Sequence, residues 1–207
     1  MKKIVLVLFL LAICVAAGRA QESRQDISLS ATGLVPPFIA SSTDVQVHSN
    51  YSLGALLGYR FMLTPTSAIE ANYGITYQQT YHYVVSSTNN YNILTRTQEI
   101  SAAYVHSFVF KKFNPFVEGG PGVLIFLPIR NSGTTLIDAK QQTGIGGMYG
   151  VGFAYEVSPS FDLRAEYRGW VTKVPTFGSG GGSTTANLTT NKWFNIFVPT
   201  VGVAYHF

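Results

Sequence analysis

From residue 26 onward, apolar and polar side chains alternate in long runs, broken by stretches rich in Ser, Thr, Asn, Gly and Pro. Alternation with a period of two places successive side chains on opposite faces of a β-strand. In Ser160–Val174 the odd positions are Phe161, Leu163, Ala165, Tyr167, Gly169 and Val171, and the even ones Asp162, Arg164, Glu166, Arg168, Trp170 and Thr172. The pattern predicts eight strands: Asp26–Gly33, Asn50–Phe61, Ala68–Tyr83, Thr95–Phe110, Pro115–Pro128, Thr143–Val157, Ser160–Val174 and Lys192–Phe207. Three links between them are short (Met62–Ser67, Lys111–Asn114, Ser158–Pro159), and each contains or abuts Pro or Asn. Four are long and polar (Leu34–Ser49, Val84–Leu94, Ile129–Gln142, Pro175–Asn191), and the two kinds alternate strictly.

Which face carries the charge decides the architecture. Arg60, Glu70, Glu99, Glu118, Asp162, Arg164, Glu166 and Arg168 share faces with Gly, Ser and Thr, whereas the opposite faces carry aromatic and branched residues. A water-soluble barrel has the reverse polarity. Charges among small neighbours suit the narrow interior of an eight-stranded barrel, and apolar side chains suit lipid outside it. The expectation is an all-β, eight-stranded antiparallel up-and-down transmembrane barrel, with short turns in the periplasm and four long extracellular loops. Tyr59, Phe61, Phe108, Phe110, Phe153, Tyr155, Phe161, Tyr205 and Phe207 are expected to form a periplasmic aromatic girdle, and Tyr77, Tyr81, Tyr83, Trp193 and Phe197 an outer one.

Composition agrees: 14% of residues are aromatic, only 12% are charged, and 20 are Gly, opposite to a disordered chain. Residues 1–20 read as a secretory signal. Lys2 and Lys3 precede the apolar run Ile4–Ala17, and Gly18-Arg19-Ala20 supplies a cleavage site before Gln21. The barrel domain is then 21–207. Cys14 follows Ile13 rather than a small residue, a poor fit to a lipoprotein motif, and it leaves with the signal. Cleavage also removes three of 14 basic residues and no acid, so 11 bases face 10 acids and the formal charge falls from +4 to +1. The basic pI therefore gives no reason to expect nucleic acid as a partner.

The last strand carries a sharper motif. Thr200, then Gly202, then Tyr205 third from last and Phe207 last resembles the terminal-strand signal read by the barrel-assembly machinery of outer membranes. With Asn114-Pro-Phe-Val-Glu-Gly-Gly-Pro-Gly122 and Asp162-Leu-Arg-Ala-Glu-Tyr-Arg168, the chain resembles the outer-membrane β-barrel family, which includes the transmembrane domain of outer-membrane protein A and its small relatives. The resemblance implies a bacterial outer-membrane location and porin-like architecture in a Gram-negative bacterium. It says little of activity, since the relatives include adhesins, structural barrels and lipid-modifying enzymes. The sequence ends at Phe207, so a wall-tethering role is not expected.

For function, the inward charges are expected to pair across the lumen and plug it. Catalytic signals are thin, and no enzyme is expected. His106 and Ser107 are adjacent and point to opposite faces; His48 and His82 lie near the outer end without a Ser and acid beside them; His206 sits in the terminal strand. No metal-ligand spacing appears, Gly178–Gly182 reads as linker, and no cofactor is expected. Arg96, Arg130, Lys140, Lys173 and Lys192 outnumber Asp44 and Asp138 in the outer links and the strand ends beside them, a modest positive rim facing outer-membrane lipid and lipopolysaccharide. Three readings stay open: a structural or adhesive cell-surface barrel, a narrow low-conductance pore, and a lipid-modifying enzyme.

Overall fold

Alternation carries straight into burial along the first strand: from Asp26 to Thr32, even side chains are buried and odd ones exposed. The computed structural model describes residues 24–36, 39–40, 46–86, 89–133, 139–178, 188, 190 and 192–207; residues 1–20, expected as a signal, lie outside them. The strands are β1 (Gln25–Leu34), β2 (Ile39–Ala40), β3 (Gln46–Ser49), β4 (Ser52–Thr64), β5 (Ser67–Ser86), β6 (Asn89–Ser107), β7 (Phe113–Gly133), β8 (Gln142–Ser158), β9 (Phe161–Lys173) and β10 (Trp193–His206). No helix of the described residues is long and apolar enough to cross a membrane.

Eight of these strands close an antiparallel barrel in the order β1-β4-β5-β6-β7-β8-β9-β10, with β10 pairing back onto β1 from Asp26↔His206 to Thr32↔Thr200. Closure removes the open strand edges that lipid cannot satisfy. The short β2 and β3 are additional. They fall within Leu34–Ser49, expected as a plain link, and β3 pairs with the upper part of β5 through His48↔His82 and Val47↔Tyr83.

Two further links are shorter than expected. The segment Val84–Leu94 is mostly ladder, because β5 runs to Ser86 and β6 begins at Asn89. Its Asn and Ser content suggested a loop, yet Tyr81, Tyr83, Tyr91 and Ile93 keep a two-residue period and point inward. Cross-strand pairing reinforces it, with His82 Nδ1 2.7 Å from Asn92 Oδ1. Likewise β7 runs on to Gly133, past the expected end at Pro128, while β6 stops at Ser107, short of Phe110. At the opposite end the turns are tight, Pro65–Thr66 and Pro159–Ser160 among them.

One defect changes the pattern. Between Thr76↔Thr97 and Gln79↔Thr95, β5 spends one residue more than β6, and Gln78 sits in the left-handed region at φ 58°. Such a bulge reverses the phase of the strand. Below it Tyr73 and Tyr77 face outward; above it Gln79, Tyr81 and Tyr83 face inward. Tyr81 and Tyr83 are therefore not part of an outer girdle, as alternation alone implied. Tyr77 and Trp193 do point outward, and so do Tyr59, Phe61, Phe153, Tyr155 and Phe161 at the turn end. There Tyr205 packs between a tilted Phe161 ring and a stacked Phe207 ring.

Candidate functional site

The interior of the barrel divides into two chemically different halves. In the half nearer the short turns, β9 presents Asp162, Arg164, Glu166 and Arg168 on one face, and neighbouring strands supply their partners. Arg164 Nη2 donates to Asp26 Oδ2 at 2.6 Å, and its Nη1 lies 3.8 Å from Glu70. Arg60 Nε donates to Glu70 at 2.5 Å, with its guanidinium over the Phe116 ring at 4.8 Å. Arg168, fully buried, donates to Glu99 at 2.7 Å and to Glu118 at 3.2 Å. The Trp170 indole donates to the other Glu99 oxygen at 3.1 Å. Small residues make room: a Cβ at Gly150 would lie 2.6 Å from a Glu118 oxygen. All eight inward charges expected from the sequence thus stand in one region, and all but Glu166 lie within 4.0 Å of an oppositely charged or His partner among the described residues.

Sequence reasoning left two members out. Asp26 is on the inward face of β1, in line with Ser28, Ser30 and Thr32, and alternation alone places it there. His206 lies with its Nε2 2.9 Å from Asp162 and its Nδ1 3.9 Å from Asp26. It bridges β1, β9 and β10 at the turn end rather than standing idle in the last strand. Three arginines face six carboxyl groups (Asp26, Glu70, Glu99, Glu118, Asp162, Glu166), so the layer is rich in acid. A pocket of about 140 Å³ of mixed lining opens beside Arg60, Arg164, Asp162 and His206, large enough for several waters to reach the arginines.

The half nearer the long links is lined by a buried aromatic and aliphatic cluster, which the expected charge plug did not include. Tyr81, Tyr83, Ile93, Phe126, Trp170, Phe194 and Ile196 are all buried there in one cluster. Tyr81 meets Phe126 and Phe177 edge-on, with centroids 6.1 and 5.7 Å away. The inward positions of Trp170, Phe194 and Ile196 follow from even-numbered alternation. Those of the tyrosines follow from the bulge.

The chain leaving β9 closes this half. Val174 to Phe177 is buried or half-buried, and Phe177 has φ 50°. A single acceptor, Gln142 Oε1, takes the Thr176 N–H at 2.6 Å, the Phe177 N–H at 2.9 Å and the Thr176 hydroxyl at 3.2 Å. From below, the Tyr83 hydroxyl donates to the Pro175 carbonyl at 2.6 Å, and the Lys140 N–H donates to the Phe177 carbonyl at 2.9 Å. No sequence motif marks this plug, because it joins a link to a strand end 34 residues away. Of Gly178–Gly182, read as linker, only Gly178 is described.

The four residues of the terminal motif occupy distinct places. Thr200 is buried on the inward face, Gly202 faces Ser30 across the β1–β10 seam, and Tyr205 and Phe207 stack at 6.2 Å on the outside. His106 meets Phe108 edge-on, and His48 and His82 face each other across β3 and β5. Among the described residues, no group of three or more His, Cys, Asp or Glu side chains is placed to hold a metal ion.

No curated protein sequence matches the chain. Among solved structures, the outer membrane protein OprG of Pseudomonas aeruginosa superposes with a TM-score of 0.57 at 11% identity, over 90% of this chain and 97% of that one. Neisserial surface protein A gives 0.53 at 16% identity, over 89% and 98%. Ail, the attachment invasion locus protein of Yersinia pestis, gives 0.52 at 13%, over 90% and 100%. At these identities the likeness is one of fold. A family model described as the outer membrane protein beta-barrel domain matches residues 5–207. A closed eight-stranded barrel, charged within and apolar without, matched to that model over nearly its whole length, belongs to the outer membrane protein beta-barrel domain family.

Proposed function

We propose that the protein is a non-enzymatic outer-membrane barrel with a structural or surface-interaction role, whose lumen is closed to ions and whose long links face the cell exterior. The observation that carries this reading is the double filling of the lumen: an ionic layer toward the periplasm and an aromatic layer under the Val174–Phe177 plug. An eight-stranded barrel has an interior only about as wide as its own side chains, and here both halves are occupied. Export through the signal at 1–20 and insertion by the barrel-assembly machinery, acting on the terminal strand, complete the reading. The test is single-channel recording of the purified mature protein in a planar bilayer. A quiet membrane is the expected result; steady, reproducible conductance steps would establish the narrow pore instead.

The plug makes a separate prediction. Trp170 is 1% exposed and Trp193 59% exposed, and the chain has no other Trp. In a Trp193→Phe background, Gln142→Ala is expected to raise iodide quenching of Trp170 fluorescence severalfold. Three hydrogen bonds to one oxygen are lost, about 2 kcal/mol in favour of the open arrangement. Conductance should stay absent, because the ionic layer is untouched. Unchanged quenching would mean that the aromatic packing, not Gln142, holds the segment.

A further inference from the structure

Every described carboxylate on the strands takes an inward position, and three of the basic side chains pair with them. Arg96 and Lys173 do the opposite. Each sits on the outward face of its strand, toward the end with the long links, and each lies over an aromatic ring. Lys173 Nζ is 5.8 Å from the centroid of Trp193, its cross-strand partner, and the Arg96 guanidinium is 5.4 Å from that of Tyr77. Lys192, exposed, immediately precedes Trp193, and neither lysine forms an ion pair among the described residues. Below the lysines the outward wall is aromatic. Tyr167 and Phe197 stack at 5.6 Å, and Asn195 Nδ2 donates to the Tyr149 hydroxyl at 2.6 Å. That bridge passes over Gly169, where a Cβ would lie 2.6 Å from the Tyr149 hydroxyl.

Cations above, rings at the boundary and an apolar wall beneath reproduce the order of groups in a lipid with an anionic head. Interfacial aromatics and basic residues anchor proteins at that level, and each cation adds to the attraction for anionic lipid. We infer that the outward face of β8–β10 beside Lys173, Lys192 and Trp193 docks a phosphorylated glycolipid of the outer leaflet, phosphate at the lysines and acyl chains against the aromatic wall. The inference rests on the outer-membrane reading above and assigns it a lipid partner and a position. With all strand carboxylates turned inward, no described acid on the wall competes for the lysines.

The test is native mass spectrometry of the mature protein in detergent, with added bisphosphorylated lipid A as probe. A Lys173→Gln/Lys192→Gln protein is expected to retain roughly tenfold less of it, or lower still, as the loss of two interfacial cations implies. A Lys111→Gln/Lys112→Gln protein, altered equally in charge at the turn end, should retain as much as the wild type. Fully dephosphorylated lipid A should bind the wild type no better than the loop-end variant binds the intact probe, an arm that needs no variant to fold. Equal retention by both variants, or retention indifferent to phosphate, would overturn the site. Neither result touches the closed lumen, which the bilayer recording tests without this lipid.

Discussion

An Arg168→Met protein is expected to lose its heat-resistant compact form at a much lower temperature than the wild type, when unboiled samples are heated in steps and run on a denaturing gel. Arg168 is 0% exposed and holds two acids at once, Glu99 at 2.7 Å and Glu118 at 3.2 Å. Replacing it leaves both carboxylates without their cation, with Glu166 two residues away on the same face of β9. Removing one partner of a buried pair typically costs about 3–5 kcal/mol, because the remaining charge stays desolvated. Adding Glu99→Gln and Glu118→Gln should restore most of the loss, since buried charge is then removed along with its counterion. Arg164→Met should act in the same direction through Asp26 and Glu70. An Arg168→Met barrel as heat-stable as the wild type would mean that water in the lumen, not the guanidinium, compensates these acids.

Gly202→Val is expected to prevent closure. Gly202 faces Ser30 across the β1–β10 seam, where the first and last barrel strands meet. A Cβ there would collide with the Ser30 hydroxyl and the Leu29 carbonyl and lie 2.6 Å from Ser30 Cα, so backbone as well as a rotatable side chain must give way. Overpacking at ordinary core positions costs about 1–3 kcal/mol, and a displaced backbone raises the cost. The measurement is the fraction of compact, unboiled form after refolding from urea into detergent, where no assembly machinery is present. The variant should give little or none. Tyr205→Ala, altered on the outside of the same strand, should refold normally there and show its defect only in cells. A normal yield for Gly202→Val would return the glycine to a purely recognitional role.

The barrel was legible in the chain because alternation, turn chemistry and the side of the charges agreed with one another. Each of the eight barrel strands contains the core of an expected one, and the eight inward charges lie inside. Asp26 is equally readable, since alternation puts it on the inward face of β1 with Ser28, Ser30 and Thr32. The aromatic half was partly readable: Trp170, Phe194 and Ile196 hold inward parity, though nothing in their spacing shows that they pack together. Tyr81 and Tyr83 were not readable, since one extra residue at Gln78 inverts their side and leaves no mark in composition. The plug was hidden for another reason. Gln142 acts through a side-chain oxygen on backbone N–H groups, and such acceptors have no sequence period.

The pair joining Arg164 to Asp26 spans 138 residues, so the ionic layer links the first strand to the penultimate one. A half-inserted sheet would hold β9 with two guanidinium groups facing hydrocarbon before β1 had arrived, and each arginine at the bilayer midplane costs about 2–4 kcal/mol. Insertion of β9 ahead of closure is therefore uphill, and the sheet gains by curling before it enters the bilayer. Membrane entry should accordingly be a single cooperative event, with closure kinetics that slow as the lipid thickens and no stable partially inserted species.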